Sequence, residues 1–130
     1  MGKKKSVNNS NPDALKAAGN KAFDQKKYEE AVKQYTLAIE ITLDNPNHIY
    51  YANRANAYLE LFANEECIAD CNKAIQIEPT YSKSFYRKAK ALVNQQKMTD
   101  ALEVIKEGIE VDPENESLKM FMDEVAEDIE

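Results

Sequence analysis

The chain has 130 residues, 43% of them hydrophobic and 31% charged, and a net charge of −6. That length suits one domain of the common size, and the acidic balance argues against general nucleic-acid binding. Three glycines leave little room for a loop-rich β fold, and no apolar run is long enough to cross a bilayer.

Residues 1–11, MGKKKSVNNSN, read as a disordered basic, Asn-rich tail, because Val7 offers almost nothing to bury. Lys3–Lys5 are not followed by an apolar run, so the segment is no secretory signal. Met1-Gly2-Lys3-Lys4-Lys5-Ser6 does fit the N-myristoylation pattern at Gly2. One acyl chain binds membranes only marginally, and the adjacent lysines would supply the second signal. The competing reading is a plain basic tail behind a start codon. Membrane contact is therefore expected only if Gly2 is acylated, and the expected location is otherwise cytoplasmic.

Asn11-Pro12 opens the first helix, with Asn as cap and Pro in the first turn. Helical patterning then predicts 13–26, 28–43, 48–61, 64–77, 82–95 and 98–111, followed by a last helix at 115–128. Gln25-Lys26-Lys27, Phe62-Ala63-Asn64 and Gln96-Lys97-Met98 mark the breaks within pairs, weakly. Pro46, Pro79 and Pro113 mark the ends of the pairs. Leu118, Phe121, Met122, Val125 and Ile129 give the last segment an apolar stripe suited to covering an exposed helix end.

The six helices form three copies of one unit, about 12–47, 48–81 and 82–114. Gly19, Ala55 and Ala89 align, as do Ala31, Cys67 and Ala101, and Ala38, Ala74 and Gly108. Unit starts at 12, 48 and 82 give spacings of 36 and 34 residues, a period that marks a stacked helical repeat. The first unit is two residues longer, around Ile41–Asn47, which extends its second helix.

Cys67 and Cys71, four apart on a helix, read as two buried thiols rather than a disulfide or metal pair. One histidine, His48, and no Gly-rich phosphate loop leave few constellations for catalysis, so neither enzymatic activity nor a cofactor or metal is expected. Glu29-Glu30 and Glu65-Glu66 read as solvated helix starts. The seven tyrosines read mostly as core or groove lining.

Helical geometry locates the free face. Unit positions 4, 8 and 11, such as Leu15, Gly19 and Ala22, lie within about 60° of each other and form the packing seam. Positions 2, 5, 6 and 9 point to the opposite side, roughly 150° away. In stacked hairpins the first helices line the concave surface. That face carries Lys16 and Asn20 from the first unit, Asn53 and Asn56 from the second, and Lys83 and Arg87 from the third. Lys and Arg are ordinary on a solvated helix face. Asn20 and Asn53 are not, since asparagine is a mediocre helix former. Convergent lysine, arginine and amide donors suit a ligand carrying carboxylates.

Over about residues 12–130 the chain resembles the carboxylate-clamp tetratricopeptide domains of heat-shock co-chaperones. The resemblance rests on Lys16 with Gly19-Asn20, on Tyr51-Ala52-Asn53-Arg54-Ala55, and on Lys83 with Tyr86-Arg87-Lys88-Ala89. It implies an all-α fold of three tetratricopeptide repeats, six helices in a right-handed superhelical solenoid, plus a C-terminal capping helix. It implies a clamp of Lys16, Asn20, Asn53, Lys83 and Arg87; Asn56, on the same face, and Phe23 are candidates for additional groove residues. The ligand implied is the extreme C-terminal Glu-Glu-Val-Asp of the 70 and 90 kDa heat-shock chaperones, held by a monomeric adaptor. Two other roles fit the same architecture: the targeting fragment of a larger phosphatase or prolyl isomerase, and a scaffold that binds an internal segment. Asn56 departs from the family, which usually has a small residue there.

Overall fold

The computed structural model describes residues 11–129; Gly2 and its acylation motif lie outside them. Among the described residues all regular structure is helical. The elements are α1 (Pro12–Asp24), α2 (Tyr28–Glu40), α3 (His48–Glu60), α4 (Asn64–Ile77), α5 (Lys83–Asn94), α6 (Met98–Val111) and α7 (Glu116–Ile129).

The helix starts follow from local chemistry. The Asn11 Oδ1 accepts the Ala14 N–H at 3.2 Å, and Pro12 fills the first turn, where no amide is needed. The Asn47 Oδ1 accepts the Ile49 N–H at 2.8 Å. Glu29-Glu30 and Glu65-Glu66 lie in the first turns of α2 and α4, where the helix dipole favours negative charge.

Each hairpin turns on one left-handed residue, and none is glycine: Lys26 (φ 63°), Phe62 (φ 57°) and Gln96 (φ 62°). The next amide then reaches back across the helix end. Lys27 N–H donates to Ala22 O at 2.8 Å, Ala63 to Tyr58 at 2.9 Å and Lys97 to Leu92 at 2.9 Å. This closure satisfies carbonyls that the helix leaves open. A non-glycine residue held left-handed costs about 1–3 kcal/mol.

The extra length in the first unit does not lengthen α2. The helix stops at Glu40 rather than running to residue 43, and 41–44 form turns. The Thr42 hydroxyl donates to Ala38 O at 2.8 Å and to Ile39 O at 3.2 Å. Those bonds take up the carbonyls that a further helical turn would have used, a habit of threonine that competes with helix continuation. The insertion therefore becomes a surface turn carrying exposed Ile41 and Leu43.

Every small residue of the repeat pattern is buried: Gly19, Ala55 and Ala89; Ala31, Cys67 and Ala101; Ala38, Ala74 and Gly108. They sit where the helices of the stack press together. A Cβ on Gly108 would lie 2.9 Å from Phe85 Cβ, so α6 and α5 approach at a distance only hydrogen permits. Each helix packs on the next in sequence, and α3 also touches α1 and α5. The first helices of the hairpins thus line one side together. On α7, Leu118, Phe121 and Val125 join Phe85, Leu92, Val104 and Ile105 in one cluster.

A bidentate ion pair joins the two helices of the second hairpin, and a third bond of the same arginine ties that hairpin to the first. Arg54 on α3 donates through Nε and Nη2 to both Asp70 oxygens on α4, each at 2.7 Å. Its Nη1 donates to Thr36 Oγ1 on α2 at 3.1 Å. The Tyr51 and Tyr58 rings lie 5.9 and 5.7 Å from the guanidinium carbon. Burial pushes the Asp70 carboxyl above its ordinary value, and the hydrogen bonds and charge of Arg54 offset only part of that.

Asp70→Asn leaves the Arg54 charge without its counter-ion in a place largely closed to water. Because Arg54 keeps some solvent access, the expected loss is about 3 kcal/mol, at the low end for a broken buried pair. A thermal melt followed by circular dichroism should show the midpoint falling by roughly 10 °C. Leu118→Ala should lower stability by about 2–4 kcal/mol in the same measurement, because it empties the contact of α7 with Gly108 and the cluster beneath.

Candidate functional site

The expected groove residues gather on the side formed by α1, α3 and α5, in two hollows that share Asn56. The smaller, about 290 Å³, is lined by Asn20, Phe23, Asp24, Tyr35, Asn53 and Asn56. The larger, about 470 Å³, contains Lys83, Arg87 and Lys90 from α5, with Leu59 and Tyr86 as apolar walls. Lys16 lines neither hollow. It sits half-buried on α1, one turn before Asn20. A third hollow, of about 600 Å³, lies among the hairpin turns around Lys26 and Leu61 and contains none of these residues.

Two of the expected residues touch directly. Asn53 Nδ2 donates to Asn20 Oδ1 at 3.3 Å, joining α3 to α1. The same oxygen accepts the Tyr35 hydroxyl at 2.6 Å. Burial pushes the Tyr35 hydroxyl up to about 12; Arg87 opposes the shift and Asp24 adds to it. The hydroxyl therefore stays protonated as a donor at any physiological pH. Asp24 and Tyr35 line the smaller hollow together, while Arg87 lines the larger one.

Arg87 is held from behind. Its Nη1 donates to Ala52 O on α3 at 2.8 Å, leaving the remaining guanidinium donors for a ligand. The Cys67 thiol donates to Arg87 O at 3.8 Å, a weak contact that ties α4 to the same backbone. Cys67 and Cys71 are free and buried. The Cys67 thiol beside it and burial push the Cys71 thiol far above its ordinary range, so it is inert as a nucleophile. Among the described residues the ion pairs are Arg54–Asp70 and Lys119–Glu116, and neither uses a groove cation.

The first turn of α7 also reaches the groove, through Asn115 and Ser117 in the larger hollow. Asn115 is fixed there: its Oδ1 accepts the Leu118 N–H at 3.0 Å, and its Nδ2 donates to Asp112 Oδ2 at 3.0 Å. Ser82 donates to that same Asp112 oxygen at 2.9 Å, so α5 and α7 start from one hydrogen-bonded knot.

Several groove residues were not singled out from sequence. Lys90 occupies position 9 of its unit, the register of Asn20 and Asn56, and was legible there. Its Nζ lies 5.8 Å from both the Tyr86 and Phe121 ring centres. Asp24 and Glu60 bring negative charge into hollows otherwise lined by donors and cations. Tyr35 belongs to α2, outside the chosen face, and no spacing on α1 points to it.

The tetratricopeptide-repeat family matches residues 49–81 and 82–115, and the chain belongs to that family. It is 37% identical over 107 residues to a small glutamine-rich tetratricopeptide repeat-containing protein 2 of Mycosarcoma maydis, covering 82% of this chain and 30% of that one. It is 35% identical over 119 residues to a Hsp70-Hsp90 organising protein of Plasmodium falciparum, covering 92% of this chain and 46% of that one. The chain thus spans less than half the length of either relative. Among solved structures, it is similar to the first such domain of Spaghetti (RPAP3) bound to the HSP90 peptide SRMEEVD. There the TM-score is 0.84 at 29% identity, with 91% of this chain and 92% of the other covered.

The Tyr35 ring lies flat on Gly19. A Cβ there would come within 2.5 Å of Tyr35 Cε1. Gly19→Ala gains about 1 kcal/mol in helix propensity, but overpacking of about 1–3 kcal/mol outweighs it. A net loss of about 1 kcal/mol should appear as a melting point several degrees lower. A variant as stable as the parent would show that the ring can retreat freely.

Proposed function

We propose that this domain is a non-enzymatic adaptor that captures the C-terminal Glu-Glu-Val-Asp tails of 70 and 90 kDa heat-shock chaperones. Lys16, Asn20, Asn53, Lys83 and Arg87 together would grip the terminal carboxylate and the side chain of the last aspartate. The observation that carries this reading is the joining of Asn20 to Asn53 by hydrogen bonding on the face that also presents Lys83 and Arg87. Their donors outnumber their internal acceptors, so the site is set up to receive oxygen atoms. The chaperone peptide held by the solved RPAP3 domain ends in the acidic sequence that such a site fits.

Asn56 shapes the space for the residues upstream of the terminus, and Phe23 offers an apolar wall beside it. The cytosol, where the tails of these chaperones are exposed, is the setting that goes with this reading.

Lys83→Ala and Arg87→Ala should each weaken binding of the peptide Met-Glu-Glu-Val-Asp about tenfold to a hundredfold. That is the equivalent of losing one charge-assisted hydrogen bond of about 1.5–3 kcal/mol. Calorimetry reads the affinity, and circular dichroism checks that both variants fold. Lys33→Ala and Lys106→Ala, on α2 and α6, should bind as the parent does. Rising salt should weaken the parent's binding only modestly, because direct contacts lie inside a Debye length of about 8 Å. Unchanged affinity in Lys83→Ala, with the fold intact, would overturn the assignment.

A further inference from the structure

Tyr35 reaches the groove from the second helix of its hairpin, and only a particular neighbour lets it. Its ring is 2% exposed and lies on Gly19, where three ring atoms come within 2.9 Å of the place a Cβ would occupy. The residue beside Gly19 on α1 is Asn20. The absent side chain at residue 19 thus brings the hydroxyl onto the side chain of residue 20.

The hydrogen bonds fix which way the Asn20 amide faces. Oδ1 takes two donors, the Tyr35 hydroxyl at 2.6 Å and Asn53 Nδ2 at 3.3 Å. With Asn20 alone reversed, its N–H₂ would meet the Asn53 N–H₂, donor against donor, and the Tyr35 hydroxyl would have to accept instead of donate. The shorter of the two bonds comes from Tyr35, so it is the stronger restraint.

We propose that Tyr35 is a positioning residue that sets the polarity of this amide pair. By occupying Asn20 Oδ1 it turns the Asn20 N–H₂ into the groove, so Asn20 meets a ligand terminus as a donor. The proposal rests on the chaperone-tail reading and deepens it, because it names what discriminates a carboxylate from a carboxamide. A carboxylate offers only acceptors and matches Lys16, Asn20 and Asn53 together. A carboxamide must point one N–H₂ at a donor. Without the hydroxyl, only the longer Asn53 bond holds Asn20, and the two amides can turn over together and offer an oxygen to that group.

The test compares the parent and Tyr35→Phe with the peptide Met-Glu-Glu-Val-Asp as free acid and as C-terminal carboxamide. Calorimetry should show acid binding falling roughly fivefold to tenfold in Tyr35→Phe, the value of one hydrogen bond. Carboxamide binding should hold or tighten, so the acid-to-amide ratio drops. Alongside, the Asn20 side-chain amide signals in a nitrogen-15 spectrum, assigned by their loss in Asn20→Asp, should shift or double in Tyr35→Phe. An unchanged ratio with unchanged Asn20 signals would overturn the proposal. If the parent binds neither peptide, the chaperone-tail reading fails, and the Asn20 signals still decide the role of Tyr35. If Tyr35→Phe does not fold, the melting points of two Asn20 variants decide. Asn20→Asp keeps the acceptor and should melt near the parent. Asn20→Ala leaves the buried hydroxyl unpaired and should melt lower. Equal melting points for the two would count against the hydroxyl–Asn20 bond as a restraint.

Discussion

The distance between neighbouring helices sets almost everything else in this domain, and nine small buried residues set that distance. Where Gly19 meets Tyr35 and Gly108 meets Phe85, even a methyl group does not fit. Elsewhere alanine and Cys67 do the same work with a little more bulk. Close approach lets each hairpin bury its large residues within one unit and against the next, so the core runs as a chain of clusters down the stack. It also leaves the opposite faces of α1, α3 and α5 uncovered. The groove exists because the seam behind it is tight.

Electrostatics then act locally. Acids outnumber bases, 23 to 17, yet Lys83, Arg87 and Lys90 follow one another along a single face of α5. Asp24 and Glu60 lie in the same hollows, so positive potential is confined to patches instead of spreading along the groove. The half-buried charge of Arg54 is kept out of this system by its own partners, Asp70 and Thr36. One arginine of the second hairpin therefore holds structure together, while an arginine of the third is left with donors to spare.

How much of this was legible in sequence depended on whether the cause was periodic. The small-residue seam, the helix count and the face carrying Asn20, Asn53, Lys83 and Arg87 all repeat with the helix or the unit, and pattern alone finds them. Lys90 was equally periodic. The end of α2 was not, because it turns on one hydroxyl, that of Thr42, bonding back to its own helix. The hairpin turns were faint because Lys26, Phe62 and Gln96 take a left-handed conformation that glycine usually signals. Tyr35 was hidden for a different reason. Its importance arises from an interaction between two helices, through a glycine that looked like packing alone. The acylation motif at Gly2 and the roles of the five clamp residues rest on sequence resemblance and chemistry, not on anything the helix register fixes.

The docking of α7 has a consequence for the scale of what can be read. By packing Leu118 over Gly108, α7 takes the place on α6 where the first helix of a fourth hairpin would stack. Among the described residues three first helices form the groove, with the start of α7 at its edge. Helices side by side at about 8–10 Å make a trough of roughly 25 Å, which an extended chain crosses in about seven residues. The cap is in that sense a ruler. On the proposed reading it bounds the length of tail those three helices can touch, and it puts Asn115 and Ser117 at the far end mark.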